Sequence, residues 1–259
     1  MTSHPGGLSV VPIAGLPEVR PGDDLLQLLM QALRLQGNPE LRDGDVLVVT
    51  QKIVSKAENR IVDLAGIEPG SEARRLAAES RKDPRIVELV LREAAEMMRV
   101  APDVLIVRHR LGFVAANAGI DQSNLAPGGD LVLLLPEDPD ASAERLRASL
   151  QEQFGLRAAV LISDSFGRAW RLGTCGVCIG CAGLRPLIDL RGTPDRSGRP
   201  LQITQVALAD QLCAAATLAA GEAAEGTPMV LIRGVAASHF AVGHGAQALL
   251  RPLAQDLFR

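Results

Sequence analysis

Apolar and polar positions along this chain form two kinds of pattern. Short runs in which nearly every side chain is apolar predict buried strands over residues 8–13, 45–50, 103–108, 130–135, 158–162 and 227–233. Between them lie stretches whose apolar positions recur every three or four residues, predicting helices over 25–35, 71–81, 84–98, 142–154 and 202–221. Asp23 or Asp24 can cap the first helix; Pro84 opens the third, whose apolar face is Ile86, Leu89, Val90, Ala94 and Met97. Residues 57–70 read as a turn-rich connection. Strands and helices are interspersed, without clean βαβ repeats and without internal self-similarity, so the predicted fold class is α+β, a mixed α/β arrangement.

The ends of the predicted strands carry the chemistry. The run at 158–162 gives way to Ser163-Asp164-Ser165, then to Gly167-Arg168, Arg171 and Gly173, which read as a flexible turn bearing two guanidinium groups beside a carboxylate. That mixture suits a phosphate bound with a divalent cation: the cation takes hard oxygen ligands and the arginines take the leftover negative charge. The strand at 45–50 runs into Gln51-Lys52-Ile53-Val54-Ser55-Lys56, a phosphate-binding candidate with no P-loop glycines. The turn at 118–124 offers Asp121 as a metal ligand and Asn124 as a hydrogen-bonding partner for a base or ribose. Gly15-Leu16-Pro17-Glu18 forms a turn in which backbone groups can face a planar ligand. For Asp121 and Asp164 the competing reading is a helix cap or a surface ion pair; for each lysine it is a solvated face.

Composition narrows the class. With 259 residues and 47% hydrophobic content the chain can bury a substantial core, and a net charge of -3 leaves no basic stripe of the kind that binds nucleic acid. The apolar runs are short and no basic segment leads into one near the start, so no membrane span is expected and the cytoplasm is the expected location. Of 27 basic residues 24 are arginines, yet two of the three lysines are Lys52 and Lys56, which hints that a compact ammonium is required there. Cys175, Cys178 and Cys181 leave two readings open: the C-x2-C-x2-C opening of an iron–sulfur or zinc site, or small buried thiols in a glycine-rich turn. Arg185 followed by Pro186 stands where a fourth ligand would fall. His239 and His244 are five apart, a spacing that favours rim histidines over a zinc pair, and no G-x-S-x-G elbow marks a serine nucleophile.

Taken in order, Gly15-Leu16-Pro17, QKIVSKAENRIV from Gln51, FVAANAGIDQSN from Phe113, SDSFGRAWRLG from Ser163, GCAGLRPLIDLRG from Gly180, ADQLCAAATLAAGEA from Ala209 and PMVLIRG from Pro228 resemble the coenzyme F420-0:L-glutamate ligase family, also called F420 gamma-glutamyl ligases. The resemblance implies a family-specific mixed α/β fold over residues 8–250, an intertwined homodimer, and no C-terminal flavin reductase domain. It implies a GTP-dependent ligase that joins L-glutamate through an amide bond to the lactyl carboxylate of F420-0 by way of an acyl phosphate, releasing GDP and phosphate. Mg2+ or Mn2+ would assist, with K+ as a monovalent helper. By the same resemblance Leu16, Pro17, Glu18, Val19, Gln51, Lys56 and Asn124 would touch the nucleotide, and Asp121, Asp164 and Ser165 the divalent metal. Asp164, Lys56, Arg168 and Arg171 would serve catalysis, with Arg196 and Arg199 as further anion partners. Departures from the family pattern are Asn59 where glycine is usual, Ser165 for threonine, Gln211 for glutamate, and a cysteine-bearing run at 174–178. A diverged paralogue using another carboxylate acceptor, or a cysteine-ligated metal protein, are the alternatives.

Overall fold

The computed structural model describes residues 7–35, 37–123, 125 and 130–256. In chain order the elements are β1 (Ser9–Pro12), α1 (Leu25–Leu33), β2 (Val46–Thr50), α2 (Gln51–Ala57), β3 (Ile61–Asp63), α3 (Ser71–Ser80), α4 (Pro84–Glu93), β4 (Ala94–Ala101), β5 (Val104–His109) and β6 (Val114–Ala116). There follow β7 (Leu131–Leu133), α5 (Pro139–Phe154), β8 (Ala159–Arg168), β9 (Arg171–Ala182), β10 (Leu187–Asp189), β11 (Gln205–Ala207), α6 (Leu208–Ala220) and β12 (Met229–Arg233).

Five strands form the central sheet in the order β1-β12-β2-β8-β9. Only β2 and β8 run parallel; every other neighbouring pair is antiparallel. Side chains of a strand alternate between faces, and here both faces are covered. Leu47, Val49, Val160, Ile162, Met229 and Leu231 meet Leu26, Leu29 and Ala32 of α1 and Ala143, Leu146 and Leu150 of α5 on one side. Val46, Val48, Ala159, Leu161, Val230 and Ile232 meet Leu212, Cys213 and Ala216 of α6 on the other. The near-continuous apolar runs of the sequence are therefore the middle layer of a three-layer sandwich. Smaller sheets β4-β5-β6, β3-β7 and β10-β11 surround it, and a separate core under α3 and α4 includes Leu76, Val87, Val90, Leu105 and Val107.

The local signals behave as their chemistry requires at several ends. Asp24, and not Asp23, caps α1 by accepting from the Leu26 and Gln27 amides. Asp138 caps α5, with Pro139 opening the helix. Asn59 sits at φ 55, a conformation asparagine tolerates.

Three expectations are corrected. The helix expected over 84–98 stops at Glu93, because Ala94–Ala101 pairs with β5 and the ladder outweighs the helical spacing of Ala94 and Met97. The strand expected to end at Ile162 continues to Arg168; the turn expected around Gly167 and Gly173 is the tip, at residues 169–170, of a β8–β9 hairpin, while the expected cysteine turn is the body of its second strand. The helix expected from Gln202 begins at Leu208, after strand β11. Glycines in β9 serve close packing: a Cβ on Gly176 would lie 2.6 Å from the Cys213 carbonyl oxygen, and one on Gly180 2.4 Å from that of Pro139. Among the described residues no helix is long and apolar enough to cross a membrane.

Candidate active site

Because β2 and β8 run parallel with Thr50 opposite Ser163, the segments that leave their C-terminal ends emerge side by side. From β2 comes the short helix α2, carrying Gln51, Lys52 and Lys56; further along β8 itself stand Asp164 and Ser165. Met229 of antiparallel β12 lies opposite Val49, so the loop entering β12 reaches the same edge. These segments line a cavity of about 610 Å3 together with Glu18, Asp121, Ser123, Thr174 and residues 220–228.

Asp121 reaches the cavity because its backbone forms a bridge with Leu133, the last residue of β7. Its carboxylate lies 2.8 Å from the Lys52 ammonium and accepts the Ser123 amide at 2.7 Å. Burial opposes ionisation there, but the Lys52 and Ser123 hydrogen bonds outweigh it and hold the carboxyl below its ordinary range. Lys52 also donates to the Ser123 hydroxyl at 2.5 Å. Lys56 is buried apart from its tip and pairs with Glu18 at 2.5 Å. Gln51 is buried, its carbonyl oxygen accepting from the Ser55 hydroxyl at 2.9 Å.

Asp164 is placed differently. Burial pushes its carboxyl up to about 7, and the Asp121 charge adds to that push; the Ser165 amide, Lys52 and Gln51 offset it only in part. Two half-buried carboxylates therefore stand near one lysine, next to exposed Ser165. The residues present would fit a divalent cation, since magnesium-like ions are commonly held by one or two carboxylates plus ligand phosphates. Among the described residues no three His, Cys, Asp or Glu side chains converge as a metal site on their own. The candidate ligand set for such an ion would be two carboxylates and a hydroxyl, completed by oxygens of a bound molecule.

Of the residues singled out in the sequence, Glu18, Gln51, Lys56, Asp121, Asp164 and Ser165 meet at this cavity. Leu16 and Val19 instead pack into the core beside α1, and Pro17 is exposed. Arg168 and Arg171 lie at the far end of the hairpin, outside the cavity lining, with Arg168 donating to the Leu172 carbonyl at 3.0 Å. Asn124 lies outside the described residues. Cys178, Cys181 and Cys213 are buried in the core under α6, and the Cys178 and Cys181 thiols donate to the carbonyls of Gly180 and Leu184. Neighbouring Cys178 and then burial push the Cys181 thiol up.

Sequence reading missed the loop at 221–227, which brings Glu222 and Glu225 to the cavity; Thr174 donates to Glu222 at 3.1 Å. Its signal was the Gly-Glu and Glu-Gly-Thr punctuation just before a strand, which gains meaning only once β12 is known to pair antiparallel with β2.

Comparison with known sequences places this geometry among related chains. The family description F420-0:Gamma-glutamyl ligase matches residues 15–234. The coenzyme F420:L-glutamate ligase of Methanothermobacter thermautotrophicus is 46% identical over 253 residues, covering 98% of this chain and 99% of its own length. Its namesake from Methanopyrus kandleri is 46% identical over 259 residues, 98% and 100% of the two chains, and that of Methanocaldococcus jannaschii 42% identical over 219 residues, 85% and 86%.

Proposed function

Given that the chain belongs to the F420-0:gamma-glutamyl ligase family, we propose that it joins L-glutamate to the terminal lactyl carboxylate of coenzyme F420-0 at the expense of GTP. The observation that carries this reading is the convergence, around one cavity of about 610 Å3, of Lys52 and Lys56 with Asp121, Asp164 and Ser165. In the proposed sequence the lactyl carboxylate attacks the γ-phosphorus of GTP, breaking its bond to the β,γ-bridging oxygen and releasing GDP. The uncharged amine of glutamate then attacks the acyl carbon; inorganic phosphate leaves, and the amine proton passes to solvent.

Asp121, Asp164 and the Ser165 hydroxyl would hold Mg2+ or Mn2+, which when bound supplies positive charge to the phosphate oxygens. Lys56, on a rigid helical turn and largely buried, is placed to exchange Glu18 for a phosphate; Lys52 keeps Asp121 ionised until a ligand arrives. Gln51, Glu18 and Asn124 are proposed nucleotide contacts, with Leu16, Pro17 and Val19 shaping the turn that presents Glu18. Potassium completes the proposed ion set.

A homodimer belongs to the same proposal. The hairpin tip leaves Trp170 90% and Leu172 97% exposed, and Trp170 stands at φ 64, a backbone region unfavourable for a bulky side chain. A second copy seated on this tip would cover both residues and carry Arg168 and Arg171 to a subunit junction, where they could meet substrate anions.

Incubation with F420-0, GTP, Mn2+ and glutamate should give a product heavier by one glutamyl residue, together with GDP. Neither product nor GTP hydrolysis, beside an active control enzyme, would end the proposal. Turnover that rises on adding potassium, and a dimer mass in sedimentation that Trp170→Glu reduces to a monomer, check the remaining parts.

A further inference from the structure

A second, smaller cavity of about 170 Å3 lies on the same hairpin, and nothing in the proposed chemistry uses it. Phe113, Phe166, Val177 and Leu249 are among the residues that wall it, and Asp210 and Gln247 supply its polar groups. The chain has only six Phe and Trp residues and no tyrosine, yet two of its five phenylalanines meet here with ring centroids 5.1 Å apart. A third ring backs them: buried His109 stacks on Phe113 at 5.2 Å with planes 11° apart. Such an arrangement offers a rigid aromatic wall to a flat ring system. Asp210, at the start of α6, is fixed by accepting the Cys178 amide at 2.9 Å, so a carboxyl group stands at a set position beside that wall. The volume is below the roughly 300–1,000 Å3 that encloses a whole drug-sized ligand, so the cavity takes the flat part of a larger molecule.

Its position relative to the first cavity decides which molecule. Phe166 directly follows Ser165 on β8, and Val177 is the cross-strand partner of Asp164. A ligand with a planar head and a flexible anionic tail can therefore occupy both cavities at once, head against the phenylalanines and tail at the carboxylates. We propose that the small cavity receives the planar deazaflavin heterocycle of the carboxylate substrate, with Asp210 meeting a polar edge of the ring. This assignment rests on the ligase reading for the identity of the head group.

The test uses the full chain and the 5-deazaflavin nucleoside that lacks the phospholactyl tail, followed by its fluorescence. Saturable quenching is expected with wild type and with Asp164→Asn, and its loss is expected in Leu249→Trp, which fills the cavity, and its weakening in Phe113→Leu. In parallel, the KM for F420-0 should rise about tenfold in Phe113→Leu while the KM for GTP stays within about twofold. Should Leu249→Trp fail to fold by circular dichroism, Phe113→Leu and Phe166→Leu decide alone. Glutamyl product formed by wild type without nucleoside binding, or binding indifferent to these variants, overturns the cavity assignment and leaves the ligase reading intact. Nucleoside binding that obeys the variants without any glutamyl product overturns the ligase reading and keeps the aromatic site.

Discussion

Two carboxylates withdrawn from water in this molecule meet opposite fates. Glu93, at the junction of α4 and β4, lies 3.1 Å from Arg60, 3.0 Å from Arg110 and 3.4 Å from the buried His109. Burial works against its charge, yet these partners hold its carboxyl down at about 2. His109 accepts the Leu111 amide on Nδ1, which leaves the proton on Nε2, the nitrogen that faces Glu93. Asp164, by contrast, is pushed up to about 7, with a second carboxylate and a single shared lysine for company. An acid given its partners by its own chain ties the scaffold together; one left short of positive charge in a cleft is a candidate for ligand binding.

The largest expected effect breaks the first half of this contrast. Glu93→Ala takes from the half-buried Arg60 and Arg110 the carboxylate they share and should cost about 1.5–3 kcal/mol of stability in denaturant unfolding. A loss within error would show that Arg60 and Arg110 find other partners. Next, Asp164→Asn should lower turnover at least about a hundredfold while leaving the melting temperature of the metal-free protein unchanged or higher. Wild-type turnover would remove Asp164 from the reaction.

The pH dependence of the metal-free protein sharpens the same contrast. Glu93, lowered from 4.5, contributes stability present above pH 4.5 that is lost as pH falls through about 2. Asp164, raised from 3.8, contributes stability present below pH 3.8 that is lost as pH rises through about 7. Asp164→Asn should flatten the decline between pH 4 and 7, and saturating Mn2+ should do so in wild type; an unchanged slope in both would contradict the assignment. A smaller effect is expected from Gly180→Ala, about 1–3 kcal/mol, because the new methyl meets the Pro139 carbonyl. Smallest of all, Arg191→Ala should leave the melting temperature unchanged, since the Arg191–Asp189 pair is exposed.

The contrast also marks where the sequence was readable. Lys56, Asp121 and Asp164 stood out because strand ends and scarce lysines are local signals. Glu93 did not, because nothing near it in sequence announces Arg60 or His109, and the apolar spacing of Ala94 and Met97 continued the helical rhythm past the true break. The strand that carries the cysteines reads as a turn for a related reason: Gly176 and Gly180, placed for close approach to α6 and α5, look along the chain like glycines placed for turns. Phe113 and Phe166 lie in the FVAANAGIDQSN and SDSFGRAWRLG stretches, but their meeting depends on a fold that brings distant segments together.

The lone parallel pair in the central sheet has a further consequence. Neighbours that run the same way cannot be joined by a tight hairpin, so a long crossover was obligatory between β2 and β8, and α3, α4 and the three-stranded sheet occupy it. Its two anchor points are clamped by the sheet regardless of what the excursion contains. Lys52, Lys56 and Asp121 are themselves carried on that excursion, so changes in its length or decoration leave the cavity undisturbed only where they fall between α2 and Asp121, among α3, α4 and the three-stranded sheet.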